Sequence, residues 1–398
     1  MTAEELPVFP FGLPNELEHH QKYEDLRSHC PVPKVRLARG GGEALLVTRH
    51  HDARRIFSDP VFSRQAILDP DVPSLLAGSK IPDLLQNVDP PVHTRLRKLV
   101  VAAFTTGAVS RLRPRIQAIA DELIDEMLAE GAPADFISRF GTPYPARVIC
   151  MLLGVPREAV DQVVEWMFHI LSLDETNEAV TAKAFEDLAA YCAGLITERR
   201  RQPEDDLITR LIHARDDQDR LSEDELLRLV WLLLGAGFET TANMIANCLV
   251  TFGHFPDQWQ LLLERPDLIP GAIDEILRYV PIAHAGFERM ATADTELSGV
   301  PVPAGSVVLP VLGSINFDSV VCQDPTRFDV TRAHTPHLGF GFGPHRCVGS
   351  PLALLELEIG LATLLRRLPG LRIAVPDTEL EWKQGVAVRA MVRLPIIW

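Results

Sequence analysis

Cys347 is the side chain of this sequence best placed for chemistry. It follows the glycine-rich run His337-Leu-Gly-Phe340-Gly341-Phe-Gly343-Pro-His345-Arg and precedes Val-Gly349 and an apolar stretch with helical spacing. Ser350 reads as the N-cap of that helix and Pro351 as its first residue, Arg366 and Arg367 fall in its last turn, and Pro369-Gly370 ends it. A cysteine just ahead of a helix N-terminus meets unpaired N–H groups and a favourable dipole, which stabilise the thiolate. The other cysteines, at 30, 150, 192, 248 and 322, form no CxxC and no close pair. They fit neither a disulfide framework nor a zinc site and read as small buried residues. A second chemical group lies in LLLGAGFETTANMIAN, where Glu239, Thr240, Thr241 and Asn243 interrupt an apolar run. A carboxylate beside a hydroxyl is costly there unless it lines a wet cavity or serves a reaction.

The glycines do not build a nucleotide loop. Gly341-Phe-Gly343-Pro-His-Arg346 puts arginine where a dinucleotide loop needs its last glycine, and no phosphate-loop Gly-Lys-Ser/Thr occurs. His345 is too near Cys347 in sequence to serve as the base of a nucleophilic cysteine. A thiolate approached closely by a large flat group remains, and a haem iron fits that description.

Four stretches, in order, carry a specific resemblance. Phe340-Gly-Phe-Gly343-Pro-His345-Arg-Cys347-Val-Gly349 resembles the haem-binding loop of the cytochrome P-450 family, FGxGxHxCxG. Glu275-Ile-Leu-Arg278 is similar to the family's ExxR motif, and Ala236-Gly-Phe-Glu239-Thr240 to its central-helix motif AGx(D/E)T. Asp89-Pro-Pro-Val-His93-Thr-Arg-Leu-Arg97 resembles the segment that holds haem propionates in bacterial members. The resemblance implies haem b, with Cys347 as iron ligand, Phe340 and Gly341 beside it, and His93, Arg97, Arg289 and His345 on the propionates. It implies that Glu239 relays protons, that Thr240 hydrogen-bonds dioxygen, and that Ala236 and Gly237 leave room for it. It also implies a structural network of Glu275 and Arg278 with an arginine ahead of the haem loop, for which Arg327 is the expected residue. Substrate contacts are expected from loop 61–88 (Gln65), Leu233, Ile282, His284 and Val386. Phe317 and Leu354 stand where relatives often carry arginine, a change expected to alter partner docking or local salt bridges, and Phe342 where they often carry histidine or a small residue.

These residues need a scaffold. Ala44–Thr48 reads as a strand, His50–Asp59 as a helix and 61–88 as a long irregular loop. Helical patterns follow at 92–104, 109–130, 142–153, 156–171, 178–201 and 204–214. Ser222-Glu-Asp-Glu225 is a capping box opening a long helix to about Phe255. A helix at 270–279 leads to β-like segments around 296–312. The expected fold is mainly α with a small β-rich part. The resemblance makes it one cytochrome P-450 domain over 1–398, with haem between the central helix and the Cys347 loop.

The chain has 398 residues, is 46% apolar and carries a net charge of −15. That suits a globular protein with a large core and argues against nucleic acid as a partner. The start lacks a signal-peptide pattern, and the most apolar run, Leu229–Phe238, is short for a bilayer, so the expectation is a cytoplasmic protein without a membrane anchor. The resemblance implies a monooxygenase that hydroxylates or epoxidises an apolar secondary metabolite with O2. Electrons would come from a ferredoxin and its reductase, docking on Lys98, Arg111, Arg113 and Arg346. Oxidative C–C or C–N coupling of an aromatic substrate such as a cyclic dipeptide, a peroxygenase, and a non-catalytic haem sensor are the alternatives.

Overall fold

The computed structural model describes residues 6–11, 21–38, 41–75, 80–171, 178–216, 221–383 and 388–398. The fold is 57% helical with a small sheet part. It divides into two compact units, Met1–Pro82 with Gln86–Thr94 and Pro270–Cys347, and Asp83–Leu85 with Arg95–Ile269 and Val348–Trp398.

The first unit is built on a six-stranded sheet in the order Val8–Phe9, Lys34–Leu37, Glu43–Val47, Val307–Pro310, Arg289–Ala291, Phe62–Ser63. The alternation in Lys34-Val-Arg-Leu37 buries Val35 and Leu37 and exposes Lys34 and Arg36. Val307–Pro310 is buried throughout, because the sheet is covered on both faces there. Val307 and Leu309 join one apolar cluster with Phe9, Leu46 and Ile67, whereas Val308 joins another with Val47, Ile56 and Phe57. Pairing Arg289 with Val308 places that arginine inside the sheet. The helix His50–Ser58 packs in the second cluster through Ala53, Ile56 and Phe57.

The second unit is helical. Its longest helix, Glu223–His254, runs 32 residues, or about 48 Å. The capping box is present: Ser222 Oγ accepts from the Glu225 N–H at 3.1 Å, and Glu225 Oε2 accepts from the Ser222 N–H at 2.9 Å. By length and composition this helix could cross a membrane, but 67% of its most apolar window is buried inside the protein. The helices Arg113–Glu130, Pro143–Leu153, Val160–Leu171, Glu178–Arg201, Leu207–Asp216 and Ser350–Arg367 belong to the same unit, with a three-stranded sheet of Ala134–Asp135, Arg372–Ile373 and Pro395–Ile397.

One expected boundary is corrected. The helix after Cys347 is capped by Gly349, and Ser350 is its first, buried residue with no capping bond from its hydroxyl. Pro351 then occupies the second helical position, where a missing N–H costs nothing. The 109–130 pattern is broken at Arg111–Leu112 into Thr106–Ser110 and Arg113–Glu130, with Pro114 in the first turn of the second helix.

Candidate active site

In the first unit the Cys347 loop is pinned by its own backbone. The Gly341 N–H donates to Leu338 O at 2.9 Å, Cys347 N–H to Phe340 O at 2.8 Å, and Arg346 N–H to Gly343 O at 3.1 Å. Gly343 has φ +70°, and a Cβ there would lie 2.4 Å from the Phe57 carbonyl oxygen, so only glycine lets the loop pass the end of His50–Ser58. Phe342 is fixed on its other side by the Arg54 guanidinium, 4.3 Å from the ring centre. Cys347 itself is exposed. By contrast Cys150, Cys192 and Cys248 are buried, and burial pushes each thiol up to about 12.

Beside this loop the same unit gathers cationic and imidazole groups. His93, on the helix Val92–Val101, is buried with its ring centre 4.1 Å from that of His345. Arg97, half-buried one turn along that helix, falls in the second unit. Arg64 and Arg289 are both buried. Arg64 donates to Glu288 O at 2.6 Å, Asn87 Oδ1 at 2.7 Å and Gln86 O at 3.3 Å. Asp89 accepts from Ser63 Oγ and from the backbone N–H groups of Arg64 and Gln65, and its Oδ1 lies 3.9 Å from His345 Nε2. Burial alone would raise its pKa, but the nearby His345 imidazole and the hydrogen bonds from Ser63, Arg64 and Gln65 win and hold it far below the usual carboxylate range. Arg289 makes one hydrogen bond among the described residues, Nη1 to Phe287 O at 2.9 Å. Burial, with Arg64 adding repulsion, pushes Arg289 down to about 9.

Glu275 and Arg278 form a two-point ion pair, Nε–Oε2 at 2.7 Å and Nη2–Oε1 at 2.8 Å, with both side chains buried. Arg278 also donates to Pro325 O at 2.8 Å, and Arg332 Nε reaches Glu275 Oε1 at 3.2 Å. Phe317 lies under the Arg278 guanidinium, 5.2 Å from its ring centre.

In the second unit the central helix is exposed at its two ends and, between Leu226 and Phe252, at Ala236 and Thr240. From Thr241 to Phe252 every residue is buried, yet Ala236 and Thr240, one turn apart, are exposed, with Gly237 and Glu239 half-buried between them. On the packed sides a Cβ on Gly235 would sit 2.4 Å from Met167 Cε, and one on Gly237 2.4 Å from Ile149 Cγ1. Thr240 Oγ1 donates to Ala236 O at 3.3 Å, a long back-bond. Asn243 Nδ2 donates to Glu239 O at 2.8 Å, leaving the Glu239 carboxylate free of it. Burial pushes Glu239 up to about 7, against the pull of Lys383.

Comparison with known proteins decides what this arrangement is. The Cytochrome P450 family model matches residues 151–264 and 258–369. Mycinamicin IV hydroxylase/epoxidase of Micromonospora griseorubida is 42% identical over 399 residues, covering 100% of both chains. The chain belongs to the cytochrome P450 family. Nocardicin C N-oxygenase of Nocardia uniformis is 40% identical, again over 100% of both chains. Among solved structures, a mutant of the mixed-function P450 MycG in complex with mycinamicin V superposes with a TM-score of 0.93 at 42% identity, covering 99% of this chain and 100% of that one. The LnmA P450 hydroxylase from the leinamycin pathway of Streptomyces atroolivaceus gives 0.92 at 41%, with the same coverage. Haem iron is the cofactor of P450 proteins, and the chain is a monooxygenase that uses O2, takes electrons from redox partners and acts on a small molecule.

The residues present fit haem. Arg289 is a buried cation with donors to spare, and an anion would relieve its desolvation, which is the task a propionate performs. Cys347 presents an exposed sulfur on a glycine-lined loop, where a Cβ on Gly341 would meet nothing closer than 3.9 Å.

Two expectations for this P450 are corrected. Arg327 is not the third member of the Glu275 network: its side chain is 66% exposed and pairs with Asp329, while Arg332, 15% exposed, takes the place. Arg327 contributes only its carbonyl, accepting from Arg332 at 2.8 Å. Phe317 is not at a docking surface, since it is buried against Tyr279 and Arg278. Of the expected substrate contacts, Gln65 is exposed, Ile282 and His284 are half-buried in the first unit, and Leu233 is buried in the second. Val386 lies outside the described residues. Sequence reasoning missed Arg64 and gave Asp89 no role, although Asp89 opens the propionate motif.

Proposed function

We propose that this P450 hydroxylates or epoxidises an apolar secondary metabolite, with Cys347 as the iron ligand and His93, Arg97, Arg289 and His345 holding the haem propionates. The observation that carries the reading is the opening of the middle of the central helix at Ala236 and Thr240, just ahead of the fully buried run Thr241–Phe252, with an acid of raised pKa beside it. Haem, when bound, supplies activation of dioxygen at its iron. Phe340 and Gly341 would hold it beside Cys347, and the small Ala236 and Gly237 would leave room for dioxygen. Glu239 holds a proton at its carboxyl and passes it toward Thr240 Oγ1, which releases its bond to Ala236 O to orient that proton. The relatives named as hydroxylases support oxygen insertion over oxidative coupling or haem sensing.

The electron donors we propose are a ferredoxin and its reductase, meeting the exposed Lys98, Arg111, Arg113 and Arg346. The chain would then act as one P450 domain in the cytoplasm.

Thr240→Ala tests the proton route. Oxygen uptake should continue while product per O2 falls about tenfold or more and peroxide accumulates. Unchanged coupling would remove Thr240 from the route. The Glu239 proton is present below about pH 7 and lost above it. Product formation by the wild type should therefore decline as pH rises through 7, and Glu239→Gln should be slower and lack that inflection.

A further inference from the structure

Lys383 takes no part in the chemistry above, yet its charge acts on Glu239 of the central helix. The helix Val160–Leu171 meets the central helix at Met167 and Gly235. At about 100° per residue, Glu239 projects between the open Ala236 face and the Gly235 side, toward that neighbouring helix. Phe168, next to Met167, is 56% exposed. The Lys383 ammonium lies 4.7 Å from the centre of its ring. Lys383 is held there by backbone pairing, its N–H donating to Ala390 O at 2.8 Å and Val392 N–H to Glu381 O at 2.7 Å.

Half-burial with neither an ion pair nor a hydrogen bond to its ammonium among the described residues sets this lysine apart: the half-buried Lys80 donates to Asp69 O and Val72 O. Lys34 pairs with Glu43 and Lys183 with Asp187, both on exposed surface. Lys383 is half-buried and makes no ion pair with a carboxylate among the described residues. Burial pulls its pKa down, and Glu239 is the acid that pulls it back. A ring face and a more distant acid of raised pKa are poor compensation for a desolvated ammonium.

We propose that Lys383 is a substrate-recognition residue that binds a carboxylate on an otherwise apolar substrate, whose body lies against Phe168 and Ala236. A single ammonium suits one carboxylate, whereas a phosphate would call for several donors. The inference rests on reading the Ala236–Thr240 face as the substrate side.

The test uses the haem-loaded protein and calorimetric binding of dodecanoic acid, 4-phenylbutyric acid and their methyl esters. The wild type should bind at least one acid about tenfold or more tighter than its ester, the scale of a charge-assisted hydrogen bond. Lys383→Met should erase that preference and Lys383→Arg should keep it. Equal binding of acids and esters, a preference that survives Lys383→Met, or no measurable binding of either acid would overturn the proposal. The reduced carbon monoxide spectrum of the same samples separates the two readings. A thiolate signature with no acid preference removes the role of Lys383 alone, whereas a missing signature removes the haem–thiolate reading itself.

Discussion

Replacement of Cys347 by histidine is expected to abolish oxygen-dependent turnover without unfolding the protein. The wild type, reduced under carbon monoxide, should show the strongly red-shifted Soret band of a thiolate ligand, and the variant should lack it even where haem is retained. The fold should survive because the loop is held by groups other than the sulfur: the Cys347 N–H to Phe340 O, the Gly341 N–H to Leu338 O, and the passage of Gly343 against Phe57. An exposed side chain away from such features costs within about 0.5 kcal/mol when changed. The urea midpoint should therefore stay put while the spectrum and activity change. Cys150, Cys192 and Cys248 cannot substitute, since burial keeps them as thiols. Full activity in Cys347→His would refute the ligand assignment.

The second large effect is on stability. Arg278→Met leaves the Glu275 carboxylate buried with only Arg332 as cationic partner, and also strips Pro325 O of its donor. Removing one member of a buried ion pair costs about 3–5 kcal/mol, because the survivor keeps its desolvation penalty. Arg332→Ala should cost less, since Arg278 retains both bonds to Glu275. Arg327→Ala should fall within about 0.5 kcal/mol, its side chain being a solvent-exposed partner of Asp329. Urea denaturation of the three variants ranks them, and an Arg327→Ala loss as large as that of Arg278→Met would reverse the correction made to this network.

How far the sequence could be read depended on how local the causes were. The central helix was legible because its signals are contiguous: Ser222 and Glu225 satisfy each other's orphan N–H groups, and the apolar run behind them does the rest. The Cys347 loop was legible because its glycines and cysteine are close in sequence. Arg332 was not, because choosing between Arg327 and Arg332 depends on which guanidinium turns inward over five residues of irregular chain. Burial settles that choice, and no propensity encodes it. Arg64 and Arg289 meet only because Phe62–Ser63 pairs antiparallel with Arg289–Ala291, a contact between segments more than two hundred residues apart. Ser350 failed as a cap for a similar reason, its burial being a tertiary fact. Glu356 gives no warning at all. It reads as an ordinary helical glutamate, yet both carboxylate oxygens are buried without a hydrogen-bond partner among the described residues, and burial raises its pKa well above the usual carboxylate range.

The packing around Gly235 and Gly237 also bears on how such an enzyme can change its diet. Any side chain added at either glycine would run into Met167 or Ile149, so a lineage exploring new substrates gains little by altering the helix at those two points. Room is more easily remade at Phe168 and Lys383, the first of them exposed and the second half-buried, where a changed side chain meets no such close packing. Chemistry and appetite are thus carried by different pieces of chain: one is locked by contacts closer than a methyl group allows, and the other is free to drift.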